Sequence, residues 1–200
     1  MENVKPLTHR QRQALETQKL IIEAARELFV EQGYGNTTID AISTKAGVAV
    51  STVYAIYKNK RGILKAIREE WHQQSGQRDI YQQAIQETDP QRCLELAAHA
   101  TRQQWEVGAS MTAIYNSAAA VDAEAASELR EALHGRRANI ERFIHAALPR
   151  FRADLSPECA SAIYLALTRT EVYQELVAGH GWSADDYETW LADTLKQQFL

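Results

Sequence analysis

The stretch from Gly47 to Lys60 reads GVAVSTVYAIYKNK and holds the densest set of groups able to grip an anion. Ser51, Thr52, Tyr54 and Tyr57 offer hydroxyls, joined from upstream by Thr37 and Thr38, and such hydroxyls suit phosphate oxygens. Lys58, Lys60 and Arg61 add three closely spaced cations. Asn59 can open a following helix, whose N-terminal dipole also favours a phosphate. The chain of 200 residues carries a net charge of −4, so this basic spot runs against the overall balance. Residues 1–70 hold eleven Lys and Arg against eight Asp and Glu, a net of +3, which leaves −7 for residues 71–200. A basic start on an acidic remainder is the charge pattern of a polyanion-binding module. The competing reading is a surface helical hairpin with a basic corner.

Positioning these groups needs helices. Alternation of apolar and polar residues is nearly absent, whereas a 3.6-residue period is almost continuous. Leu20, Ile21, Ala24, Ala25, Leu28 and Phe29 form the stripe of a first helix within residues 15–32, which Gly33 caps. Thr37, with Asp40 three residues on, predicts a capping box opening a second helix, and Gly47 ends it. A third helix runs from near Val50 to before Asn59, and a fourth from Asn59 toward Gly76. Two short helices about Gly47 make a helix-turn-helix, in which the glycine takes a positive φ and the second helix lies in a DNA major groove. Ile42 and Val53 read as the core these helices share. Asp89-Pro90, Ser156-Pro157 and the Ser183/Asp186 capping box open later helices, with Trp182 and Tyr187 placed as a hydrophobic staple. Leu129, Leu133, Ile140, Phe143, Ile144 and Ala147 line one face of another, and a longer one covers residues 157–178. The expected fold is all-α with about nine helices: a helix-turn-helix domain over residues 15–75 and a helical bundle over residues 76–200.

Residues 17–68 resemble the DNA-binding domain of the TetR/AcrR family of bacterial transcriptional regulators. The resemblance rests on IIEAARELFVEQGYGNTTIDAISTKAGVAVSTVYAIYKNKRGIL: the AA-x-x-LF-x-x-x-GY of the first helix, TT-x-x-x-I, the AGV turn, T-V-Y and the KNK that follows. The C-terminal GWSADDYETWLADTL is similar to the end of a subset of that family. The resemblance implies a homodimer on double-stranded operator DNA, each subunit carrying a reading head and a larger domain for a small-molecule effector. It places Val50, Ser51, Thr52, Ala55 and Ile56 at base edges or nearby backbone, and Thr38, Tyr54 and Lys60 at phosphates. It also implies that the last two helices build the dimer's four-helix bundle, with Trp190, Leu191, Leu195 and Phe199 as a stripe. Burial of that stripe in one subunit is the competing reading. Two departures stand out. Ala49 replaces the serine that normally caps the recognition helix, and the reading face has no Arg, Asn or Gln for bidentate base contacts. Methyl contacts from Val50, Ala55 and Ile56 to thymines, together with DNA shape, then carry the specificity. Arg10 and Arg12 stand in an N-terminal extension within reach of a minor groove.

In the second domain, Trp105, Met111, Tyr115, Asn116, Arg137, Phe143, Thr168, Arg169 and Glu171 are candidates for an effector pocket, combining aromatic area with a few polar groups. Arg169 and Glu171 are the most suggestive polar pair, two apart on the long helix. Catalysis finds no footing: no metal-spaced histidines, no nucleophile setting and no Gly-rich phosphate loop, so neither metal nor cofactor is expected, nor an enzyme. Cys93 and Cys159 stand alone, no apolar run would cross a bilayer, and no leader is visible, which reads as a cytoplasmic protein. The expected function is an effector-released transcriptional repressor. The alternative is a ligand-independent, architectural DNA-binding protein whose second domain only dimerises.

Overall fold

The computed structural model describes residues 8–74 and 76–200; Ser75, at the expected domain boundary, and Lys5, in the charge count, lie outside them. Every regular element among the described residues is helical: α1 (His9–Asn36), α2 (Ile39–Ala46), α3 (Val50–Tyr57), α4 (Lys60–Gln74), α5 (Gln77–Gln86), α6 (Pro90–Ala119), α7 (Ala123–Ala147), α8 (Pro157–Leu167), α9 (Thr170–Gln174) and α10 (Ala184–Phe199). A 3-10 turn follows α7, and a π turn, Glu175–Gly179, extends α9. These are the expected nine helices with one divided. The helix anticipated over residues 157–178 breaks where Thr168 (φ −99°, ψ 19°) and the extended Arg169 (φ −70°, ψ 149°) interrupt it. The Thr168 hydroxyl donates to the Tyr164 carbonyl at 2.7 Å, giving that backbone group a side-chain partner at the helix end.

The chain forms two compact units, residues 1–70 with 113–126, and residues 71–112 with 127–200. In the first, Ile21, Ala25 and Phe29 of α1, Ile42 of α2, Val53 of α3 and Ile63, Leu64 and Ile67 of α4 are buried as one core face per helix. Thr8 opens α1 with a capping box to Gln11, so Arg10 and Arg12 stand in the first turns of a helix, exposed, rather than in an extension. Leu20, expected on the buried stripe, is 41% exposed, because the Ile21–Ala25–Phe29 row takes the core side. Asp122 opens α7 by accepting from the backbone of Glu124 (3.0 Å) and Ala125 (3.2 Å).

The second unit gathers Leu94, Ala97 and Ala98 of α6, Ile140, Phe143 and Ile144 of α7, Tyr164 of α8 and Tyr187, Leu191, Leu195 and Phe199 of α10. The caps fall where the sequence puts them: Asp89 accepts from Gln91, Ser156 from Cys159, and Ser183 forms its capping box with Asp186. Leu191, Leu195 and Phe199 are fully buried within the single chain, so this stripe serves its own unit's core. Leu133, expected on the inner face of α7, is 56% exposed, one step off the row that runs through Ile140 and Phe143.

Candidate nucleic-acid interface

The turn between α2 and α3 rests on Gly47, in the left-handed region at φ 67° and ψ 30°, with its N–H donating to the carbonyls of Ser43 and Thr44. A side chain there would be strained. The cap of α2 is Thr38, whose hydroxyl accepts from Ala41 at 3.1 Å, and not Thr37 as expected. Thr37 is buried, and its hydroxyl donates to the Gly33 carbonyl (2.9 Å) at the end of α1. Ala49 leaves α3 without a side-chain cap, as its methyl requires. Along α3, Ser51, Tyr54 and Ala55 are exposed, Val50, Thr52 and Ile56 half-buried, and Val53 points into the core. Tyr54, half exposed, presents a hydroxyl beside the exposed Lys58. Tyr57 turns back: its hydroxyl donates to the Gln18 carbonyl at 3.4 Å, and burial, with the nearby Glu70, pushes its pKa up.

The three cations after α3 have three different surroundings. Lys58 is exposed and takes a positive φ of 65°, an uncommon conformation for a residue with a side chain. Lys60 folds inward. Its ammonium donates to the carbonyls of Tyr34, Thr37 (2.8 Å) and Gly35 (3.4 Å), and lies 4.3 Å from the centre of the Tyr34 ring. These carbonyls end α1 and have no partner within their own helix, so Lys60 acts as a cap supplied from α4. Burial lowers its pKa, with Asp122 acting the other way. Arg61 pairs with Asp122 and Glu124 at the start of α7. Asn59 opens α4, its side chain accepting from Gly62 at 2.9 Å. Gly62, which the sequence reading passed over, permits this junction: a Cβ there would stand 2.0 Å from the Tyr57 carbonyl oxygen. The result is a rigidly held α3 with Thr38, Ser51, Tyr54, Ala55 and Lys58 outermost.

The effector candidates are scattered. Trp105, Phe143 and Thr168 are buried in the second unit, and the Trp105 indole donates to the Thr168 carbonyl at 3.0 Å. Met111 is buried in the same unit, whereas Tyr115 (buried) and Asn116 (exposed) belong to the first. Arg137 points outward to Glu141 at 3.1 Å. Arg169 precedes α9 rather than sitting within a helix, and it does meet Glu171, two hydrogen bonds of 3.2 and 3.0 Å joining them at the surface. That pair is an exposed ion pair, and Arg169 lowers the Glu171 pKa. The residue missed was Arg136. Its guanidinium donates to the carbonyl (2.6 Å) and hydroxyl (2.9 Å) of Thr168 and lies 5.4 Å from the centre of the Trp105 ring. The signal was present: positions 136, 140, 143 and 147 share one helix face, and Arg137 falls off it.

Residues 21–67 match the sequence model of the bacterial regulatory proteins of the tetR family. A relative by sequence is the HTH-type transcriptional regulator SrpR of Pseudomonas putida, 44% identical over 55 residues, 28% of this chain and 26% of SrpR. The chain spans about a quarter of the length of the first curated relatives it matches. Among solved structures, a TetR/AcrR-type transcriptional regulator of Aquifex aeolicus superposes with a TM-score of 0.69 at 20% identity, covering 92% of this chain and 99% of that one. The FadR regulator of Bacillus subtilis, solved in complex with stearoyl-CoA, superposes with a TM-score of 0.63 at 18% identity, over 88% and 96% of the two chains. At such identities the likeness is one of fold. Residues 21–67 are thus a TetR-family helix-turn-helix module, and the chain that carries them is built on the fold of that family's solved members.

Proposed function

We propose that the chain is a homodimeric transcriptional repressor that binds operator DNA through α2 and α3 and is released by a small-molecule effector held in residues 76–200. The observation that carries the reading is the outer face of α3, held by its Gly47 and Gly62 junctions and lined with Ser51, Tyr54, Ala55 and Lys58 in a segment that matches the family. In this reading α3 enters the major groove. Val50, Ala55 and Ile56 meet thymine methyls, while Thr38, Ser51, Thr52, Tyr54 and Lys58 meet backbone. Lys60 and the buried Thr37 support the interface by holding the end of α1 against the start of α4. The half-buried apolar residues Ile163, Val172, Leu176 and Trp190 offer a face for the second subunit, since Leu191, Leu195 and Phe199 are used inside. The solved relative bound to stearoyl-CoA supports effector binding as a use of this fold.

The test is a fluorescence anisotropy titration of the full chain against DNA tiled across the promoter next to its own gene. One tile should bind at least 1,000-fold more tightly than scrambled DNA, within the usual span of specific over non-specific binding. Uracil-for-thymine replacement in that tile should weaken binding at a few half-site positions. Equal affinity for every tile would leave the architectural alternative.

A further inference from the structure

Arg136 is a half-buried cation with no carboxylate within ion-pair distance among the described residues. Its terminal nitrogen is satisfied by Thr168, but its Nε is buried and makes no hydrogen bond. Glu171, whose charge it feels, is already engaged by Arg169. Two further buried groups of the same unit share that condition: the hydroxyls of Thr170 and Tyr187. Thr170 stands two residues beyond the Thr168 that Arg136 grips, and Tyr187 lies close enough for the Arg136 charge to oppose the burial that raises its pKa. Trp105 and Tyr173 supply aromatic walls, the latter edge-on to Tyr187 at 4.9 Å between ring centres. Buried polar groups in native proteins are nearly always paired, and an unpaired buried charge is costlier still. One cation and three unspent donors therefore sit together on apolar surroundings.

We propose that Arg136, with Thr170 and Tyr187, receives the head group of the effector, and that the effector is an organic carboxylate with an apolar body. A carboxylate brings two acceptor oxygens in the planar geometry that a guanidinium matches, and the two hydroxyls complete its shell. A single arginine and three free donors suit that charge of −1 better than a phosphate ester, which carries more charge and a third oxygen. The apolar body takes the place beside Trp105 and Tyr173. This inference rests on the effector-controlled reading above and assigns its ligand class.

The test uses the full chain, with thermal shift and intrinsic tryptophan fluorescence as readouts. The probes are benzoate, phenylacetate and octanoate, each beside its primary amide, which keeps the body and removes the charge. At least one carboxylate should raise the melting temperature in a saturable way, and its amide should bind at least tenfold more weakly. Arg136→Met should abolish that difference, and Thr170→Val and Tyr187→Phe should each weaken the carboxylate about threefold or more. Without ligand, both hydroxyl-free variants should melt no lower than the parent, because the groups they remove are unpaired. The inference falls if no carboxylate binds, if amides bind equally, or if Arg136→Met binds the carboxylate as the parent does. Operator affinity separates the two claims. A carboxylate that binds through Arg136 but leaves DNA affinity unchanged sinks effector release alone. A neutral compound that releases DNA equally from parent and Arg136→Met sinks the carboxylate assignment alone.

Discussion

Lys58 and Lys60 are two residues apart, and their side chains have opposite employment. Lys60 satisfies carbonyls at the end of α1 and stacks on Tyr34, while Lys58 reaches solvent at the end of α3. Their loss should therefore read out differently. Lys58→Ala should leave the melting temperature unchanged and reduce the slope of log K against log salt by about 0.9 per contact, or about 1.8 for a dimer. Lys60→Met should lower stability by about 1–2 kcal/mol, the cost of orphaned carbonyls, and weaken every DNA sequence alike. A pair of melting curves with the salt titrations checks both. If Lys60→Met melts with the parent and Lys58→Ala keeps the full slope, the roles assigned to the two lysines are reversed.

At the scale of elements, α3 is the helix with a correctable defect. Ala49 stands at its N-cap in an extended conformation (φ −69°, ψ 144°), the geometry in which a serine hydroxyl would accept from the first turn. Ala49→Ser should stabilise the chain by about 1 kcal/mol, raising the thermal midpoint by a few degrees. A lower midpoint would mean that the extended Ala49 leaves no room for the cap. The start of α7 is the converse case. The backbone bond from Ala125 holds the Asp122 carboxyl below its usual range against its partial burial, with Arg61 and the Glu124 N–H adding to the effect. A depressed carboxylate stabilises the fold above its ordinary pKa and loses that contribution as pH falls through the depressed value. The destabilisation caused by Asp122→Asn should therefore be full near about pH 6 and shrink toward about pH 3 or below in denaturant titrations. A pH-independent difference would show that the charge of Asp122 is idle.

For the whole molecule, the element to question is α4, which begins in the first unit and ends in the second without a break. An effector releases DNA only if it binds one conformation of the dimer better than another, and a coupling of about 1–3 kcal/mol is usual. A helix that transmits such a preference must be stiff. Glu69→Gly, which weakens a helix interior by about 1 kcal/mol, should reduce induction by the effector several-fold while changing operator affinity less. Induction unchanged in Glu69→Gly, in titrations with and without effector, would place the coupling elsewhere.

Local chemistry in the sequence determined the helix ends. Asp89, Ser156 and Ser183 cap helices because a short polar side chain finds a backbone donor two or three residues away, and Gly47 turns because it lacks a Cβ. The helix-turn-helix was legible for the same reason, its spacings lying within about fifty consecutive residues. What only tertiary structure decided involves partners distant in the chain. Lys60 was visible as a cation, but that it meets carbonyls 23 to 26 residues upstream depends on how α4 lies against α1. Arg136 and Arg137 are neighbours of one type, and only the packing of α7 against Trp105 and Thr168 sends one inward and the other to solvent. The apolar stripe of α10 could equally have met its own bundle or a second chain. Periodicity states which side of a helix is covered, while the identity of the cover belongs to the fold.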